Sequence, residues 1–225
     1  MKLLLFDIDG TLLLTHGLGR RTIAGVLEDL TGRTATMEGI PFSGRTDLAI
    51  LSDVLRINGI PPTPEQIETL ITSYEIAMTQ ALLRASLTRL PGTAVLLQTL
   101  AARPDVCLGL LTGNVEAMAY RKLEAVGLAS FFAFGAFGGD HPERPMLPPI
   151  AMDRAAAHTG HRFAGPDVVI IGDTEHDIHC GRGVGARSVA VCTGGYTEQD
   201  LAAHEPDVLL PDLADTEAFL EAVLA

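Results

Sequence analysis

The sequence predicts an α/β protein: a three-layer, Rossmann-like core built on a parallel sheet, with a small α-helical domain inserted into it. Two observations carry this. Short apolar runs alternate with longer segments of helical period, the pattern of successive βα units. The alternation then stops between about residue 15 and residue 86, where only helix-like stretches occur. A gap of that length is far beyond an ordinary βα loop, so an inserted domain is the economical reading. The expected division is residues 1–14 with 87–225 for the core and 15–86 for the inserted helical domain.

Lys2–Phe6 is a continuous apolar run bounded by Asp and Gly, and reads as a strand buried on both faces. Val106–Leu111 is a second such run, and Asp167–Ile171, rich in β-branched residues, a third. Arg187–Val191 and Val208–Leu210 are shorter candidates, and Phe131–Phe134 is a further one. Thr93–Ala101, Glu116–Val126, Pro149–Ala157 and Thr216–Val223 place apolar residues at i, i+3, i+4 spacing and read as helices. Gly127 stands where a C-terminal cap is expected, and Pro148-Pro149 suits a first helical turn. Inside the insert, Arg20–Leu30, Asp47–Asn58 and Pro64–Leu83 are helix-like, with Pro61-Pro62-Thr63-Pro64 as punctuation.

Composition limits the function. Hydrophobic residues make up 47% of the 225, which excludes a disordered chain. The net charge of −12 leaves no basic stripe for nucleic acid or anionic membrane. Cys107, Cys180 and Cys192 are an odd number at wide spacing, so they read as buried apolar residues in a reducing compartment. The N-terminal apolar run is too short for a signal segment, and no stretch approaches the ~18 apolar residues of a membrane span. The expectation is a cytoplasmic protein.

Four segments carry chemistry. The first strand runs into Asp7-Ile8-Asp9-Gly10-Thr11, with Asp7 and Asp9 on one side of an extended chain, or alternatively in an Asx turn. The second ends in Leu111-Thr112-Gly113-Asn114, which offers a hydroxyl and backbone N–H groups to an anion, or an ordinary helix cap. The third ends in Gly172-Asp173-Thr174-Glu175-His176-Asp177, with two more carboxylates or a capping motif. The fourth, Gly138 to Pro145, carries Arg144, a fork for phosphate oxygens or a solvated loop residue. Three of these follow predicted strands and converge on one sheet edge, where open α/β sheets bind ligands. Four carboxylates there would repel one another, and a divalent cation with a phosphate co-ligand is the natural neutraliser.

In this order the segments resemble the haloacid-dehalogenase-like hydrolase superfamily. Asp7-Ile8-Asp9-Gly10-Thr11 matches its DxDGT signature, Leu111-Thr112-Gly113 its second motif, and Gly172 to Asp177 its GDxxxD fourth motif. The resemblance implies that Asp7 is a nucleophile forming an aspartyl-phosphate and that Asp9 is the general acid and then base. It implies Mg²⁺ held by the Asp7 side chain, the Asp9 carbonyl and Asp173, with Asp177 orienting the metal site. Thr112 with the N–H groups of Gly113 and Asn114 would bind the phosphoryl oxygens. The third motif usually supplies a Lys. Here the matching region reads Glu143-Arg144-Pro145, so the role falls to Arg144, with Lys122 an alternative only if the chain folds differently from the family. The helical insert resembles the cap of the phosphoglycolate-phosphatase and β-phosphoglucomutase branch. Its loop Phe42 to Asp47 would enter the site, with Arg45 and Thr46 as substrate contacts, although Thr46 is equally a helix N-cap.

The implied function is a Mg²⁺-dependent phosphatase acting on a small phosphorylated metabolite, of the phosphoglycolate or sugar phosphate type. Asp9 argues against dehalogenation, because releasing a halide needs no proton donor. A phosphosugar mutase on the same fold, or a non-catalytic phosphate-accepting or metal-binding switch, are the alternatives. No nucleic acid or membrane partner is expected, and the chain is expected to be a monomer or weak homo-oligomer.

Overall fold

A computed structural model describes residues 1–224. The strands are β1 (Lys2–Phe6), β2 (Leu13–Leu14), β3 (Thr88–Arg89), β4 (Val106–Leu111), β5 (Gly135–Ala136), β6 (Val168–Gly172), β7 (Arg187–Val191) and β8 (Val208–Leu210). The helices are α1 (Leu18–Thr31), α2 (Asp47–Ile57), α3 (Pro64–Leu82), α4 (Thr93–Ala101), α5 (Glu116–Ala125), α6 (Leu147–Thr159), α7 (Glu175–Cys180), α8 (Glu198–Ala202) and α9 (Thr216–Leu224).

Six strands form one parallel sheet in the order β5-β4-β1-β6-β7-β8. Side chains alternate across it. Leu4 and Phe6 pack with Leu96, Leu123 and Phe219 of α4, α5 and α9, whereas Leu3 and Leu5 pack with Leu147 and Ala151 of α6. This makes the three layers. The chain leaves β1 toward β4 and β5 and later returns on the other side through β6. β1 is therefore flanked by both halves, and the crevice beyond its carboxyl end is the topological switch point.

The helices α1, α2 and α3 hold a separate apolar cluster around Leu51, Val54, Leu70, Tyr74 and Met78. It extends onto Val115 and Met118 beside and within α5, so the helical block is seated on the sheet-bearing part. The chain enters and leaves the block side by side, with Leu13 paired to Arg89 and Leu14 to Thr88 in an antiparallel ribbon. Thr46 and Thr63 cap α2 and α3 through Ala49 N–H and Gln66 N–H, as their positions ahead of helical periods predict.

One strand expectation needs correction. Phe131–Phe134 is not a strand: Ala129–Phe131 forms a 3₁₀ turn, and the pairing with β4 is made by Gly135–Ala136. The aromatic residues are apolar for another reason. Phe132 lies edge-on to Phe6 at 6.0 Å, while Phe134 packs on the opposite face of the sheet. The third main strand also begins and ends one residue later than expected, at Val168 and Gly172.

Candidate active site

Asp7 follows the last residue of β1 and is buried, its N–H donating to Ile171 O at 2.9 Å. Asp173 follows the end of β6 and Asp177 lies one turn into α7. Carboxylate oxygens of Asp7, Asp173 and Asp177 lie within 4.8 Å of one another. The neighbouring backbone is shaped around Asp173. A methyl on Gly10 or on Gly194 would overlap its carboxylate, and Gly10 also has φ +90°. Thr11 donates its hydroxyl to Asp173 Oδ1 at 3.3 Å, and Thr193 donates to Gly10 O at 2.5 Å, tying the loop after β7 to the loop after β1.

Arg144 enters this cluster from the loop before α6. It is buried, donates to Asp7 Oδ1 at 3.0 Å and to Gly44 O at 3.0 Å, and forms an ion pair with Asp177. Asp177 is fully engaged, because its other oxygen accepts from the N–H and hydroxyl of Thr174 in a capping box. Three carboxylates against one guanidinium leave two negative charges uncompensated when all are ionised. Burial, with repulsion from Asp177 and Asp9, accordingly pushes the Asp7 carboxyl up to about 7 against the pull of Arg144. Burial and the charges of Asp177 and Asp7 drive Asp173 well above the usual carboxylate range. A hard, oxygen-liganded divalent cation fits this donor set. The sites of Asp7 and Asp173 suit direct ligation, whereas Asp177 is spent on Arg144 and Thr174.

Asp9 sits two residues on, and its surroundings are different. Its Oδ2 accepts from Asn114 Nδ2 at 2.7 Å and from Lys122 Nζ at 2.7 Å, while its Oδ1 is buried with no protein partner. Lys122 is 4% exposed and also donates to Asn114 Oδ1 at 2.5 Å. The fold expected from the sequence therefore brings both Arg144 and Lys122 to the site, one on each aspartate. Arg144 keeps the contact with Asp7 that the resemblance implies, and Lys122 makes a different one, with Asp9, that the sequence reading did not consider. The signal was present: on α5 the buried face is Met118, Ala119, Lys122 and Leu123, and a lysine on an apolar stripe needs an acidic partner.

The loop after β4 departs partly from expectation. Thr112 is buried and its hydroxyl accepts from Asn114 Nδ2 at 2.8 Å. The Asn114 N–H is turned onto Thr112 Oγ1 at 3.3 Å, so it is not free for a ligand in this geometry. The N-terminus of α5 is capped from the helical block, since Val115 N–H donates to Asp47 Oδ2 at 2.8 Å. Asp47 N–H in turn donates to Gly113 O at 2.6 Å. Burial lifts the Asp47 carboxyl to about 6, with Lys122 nearby restraining the rise.

Loop 42–47 thus lies directly on the sheet-bearing part. Gly44 touches Thr174 and His176 so closely that a methyl would overlap them, and Gly113 leaves room for Arg45 O. Thr46 does not line the cavity: its hydroxyl caps α2 and donates to Pro142 O at 2.6 Å, which corrects its assignment as a substrate contact. Arg45 does line the cavity, but its guanidinium is paired with Asp53 at 2.8 Å. Tyr74 of α3, which nothing in the sequence singled out, is buried and faces the same space, close to the open side of Gly19. The cavity is ≈ 320 Å³, with Asp7, Asp9, Thr112, Lys122 and Arg144 at its base and Arg20, Phe42, Arg45 and Tyr74 above.

Comparison with known proteins agrees with this architecture. Residues 147–216 match a family model described as HAD-hydrolase-like. The chain is 27% identical over 232 residues to the probable phosphatase IndB of Dickeya dadantii, covering 99% of this chain and 94% of that one. It is 26% identical over 219 residues to the pyrophosphatase PpaX of Listeria innocua, covering 96% and 95%. In fold it is similar to the crystal structure of CbbY from Rhodobacter sphaeroides in complex with phosphate, with TM-score 0.77, 21% identity and complete coverage of both chains. In its parallel sheet, in the match of residues 147–216 and in these full-length likenesses, the chain is similar to haloacid-dehalogenase-like hydrolases.

Proposed function

We propose that the protein is a Mg²⁺-dependent phosphatase that hydrolyses a small organic phosphate monoester through an aspartyl-phosphate on Asp7. The observation that carries it is the excess negative charge around Asp7, set against a neutralised Asp9 facing the same cavity. The two carboxylates thus stand in different settings, and we assign the nucleophile to Asp7 and the proton carrier to Asp9. Relatives named phosphatase and pyrophosphatase support the reaction class.

In the first step an Asp7 oxygen forms a bond to phosphorus, and the ester P–O bond breaks with its electron pair leaving on the alkoxide. Asp9 supplies the proton that makes the departing group an alcohol. In the second, a water oxygen bonds to phosphorus, the acyl-phosphate bond returns its electron pair to Asp7, and Asp9 takes the water proton. Arg144 fixes Asp7 and lies where it can face phosphoryl oxygens, and Thr112 with Gly113 N–H lines the same space. A magnesium ion held by Asp7, the Asp9 carbonyl and Asp173 would offset the carboxylate charge and polarise a phosphoryl oxygen. The helical block, residues 15–86, is read as a cap that excludes water from the cavity.

The test is phosphate release from a panel of phosphorylated metabolites and aryl phosphates. Turnover is expected with Mg²⁺, is lost with EDTA, and falls about 10⁴-fold or more in Asp7→Asn. EDTA-insensitive turnover, or an Asp7→Asn variant as active as the parent, contradicts the reading.

A further inference from the structure

We infer that the uncapped N-terminus of α1, with the Arg20 guanidinium and the Tyr74 hydroxyl, forms a second anion subsite in the cavity. The substrate it fits is a phosphate monoester that carries a second oxyanion, a carboxylate or another phosphate, on its alcohol part. The inference rests on the phosphatase reading and adds a substrate class to it.

Four cations line the cavity: Arg20, Arg45, Lys122 and Arg144. Three are spent on carboxylates, Arg45 on Asp53, Lys122 on Asp9, and Arg144 on Asp7 and Asp177. Arg20 forms no ion pair among the described residues. It donates to Met37 O at 2.6 Å and lies over the Phe42 ring at 4.9 Å, so its place is fixed while its charge stays unmatched.

The helix that carries Arg20 adds further donors. Its N-cap, Gly17, has no side chain to close the helix end, and its first turn holds no acid. Gly17 and Gly19 both line the cavity. Leu18 N–H donates to Thr15 O and Arg21 N–H to Gly17 O, whereas the N–H groups of Gly19 and Arg20 meet no acceptor among the described residues. Open N–H groups at the positive end of a helix attract an anion.

Tyr74 is the independent sign of a ligand. It is 1% exposed, and its hydroxyl has no hydrogen-bond partner among the described residues. The hydroxyl reaches over Gly19, where a methyl would lie 3.3 Å from it, and so stands beside the open helix end. A buried hydroxyl without an acceptor is costly, and an oxygen of a bound ligand relieves that cost. Burial, with the charges of Asp47, Asp9 and Glu75, holds its ionisation well above the usual tyrosine range, so the phenol stays a donor. Guanidinium, phenol and backbone N–H all donate, and the ligand group they match is an acceptor with negative charge.

The test compares kcat/KM within two pairs of esters of like size. One pair is 2-phosphoglycolate and 2-hydroxyethyl phosphate, and the other is propane-1,3-diol bisphosphate and 3-hydroxypropyl phosphate. The wild type is expected to favour the anionic member of one pair about tenfold or more, and that pair tells a carboxylate from a phosphate. Arg20→Gln should lower this ratio about tenfold, and Tyr74→Phe, which removes only the hydroxyl, about threefold or more. A cooperative urea transition in each variant shows that it is folded. Equal kcat/KM within both pairs overturns the subsite while leaving the phosphatase reading intact. A preference that survives Arg20→Gln and Tyr74→Phe but falls in Arg45→Gln overturns it as well, because the anion then lies on the loop before α2. Wild-type protein inert toward all four esters and the metabolite panel removes the phosphatase reading, and the subsite with it.

Discussion

Asp7 and Asp9 are two residues apart on the same strand extension, yet they sit in opposite electrostatic settings. Around Asp7, three buried carboxylates share one guanidinium, and burial together with repulsion pushes two of them up. Around Asp9, one carboxylate meets one ammonium and one amide, and the charge closes. The contrast teaches that the site is not simply acidic. One side carries uncompensated negative charge and the other is balanced; on the proposed reading the first takes a cation and the phosphoryl group, and the second carries the proton. The partition is made by two cations from different segments, Arg144 ahead of α6 and Lys122 on α5.

Removing each cation breaks the contrast in a different way. Arg144→Met leaves Asp7, Asp173 and Asp177 with no counter-charge in a buried site. It should cost about 3–5 kcal/mol of stability in EDTA, measured by urea unfolding at neutral pH. Lys122→Met should cost distinctly less, because the Asp9 side chain is 35% exposed and can be solvated. Equal costs would mean that the two aspartates are alike after all.

The contact between the helical block and the sheet-bearing part gives a smaller effect with a defined sign. The Asp47 carboxyl rises from 3.8 to about 6 because it is buried, so the folded protein binds its proton more tightly than the unfolded chain does. Stability from this group is therefore gained as pH falls from about 6 toward 4 and is lost as pH rises through about 6. The gain should be about 3 kcal/mol relative to Asp47→Asn, read from parallel urea titrations across that window. A wild type and variant that keep a constant difference across it would place Asp47 in a wetter setting than the fold gives it.

How much of this could be read from sequence follows from where each signal lives. The β1, β4 and β8 strands were legible because continuous apolar runs between breakers have few other uses. The carboxylates were legible because Asp7, Asp9, Asp173 and Asp177 stand at strand ends in one recognisable order. The Phe131–Phe134 run misled because its aromatic rings split between two faces instead of lining a strand. Thr46 misled because a hydroxyl near a site and a hydroxyl that caps a helix look the same in one dimension. Lys122 was visible as a charged interruption of an apolar face, but its partner is 113 positions away, and only the fold brings the two together. Tyr74 and Gly194 carried no local signal, since each matters through a neighbour contributed by a distant segment.

The most direct test of the charge deficit is the effect of Mg²⁺ on thermal stability at pH 8 and pH 5, in the parent and in Asp173→Asn. With Asp7 lifted to about 7 in the metal-free protein, protons compete with the cation at low pH. The account predicts a clear rise of Tm with millimolar Mg²⁺ at pH 8, a much smaller one at pH 5, and almost none in Asp173→Asn. A Tm that ignores Mg²⁺ at both pH values, or an equal rise in Asp173→Asn, would contradict it.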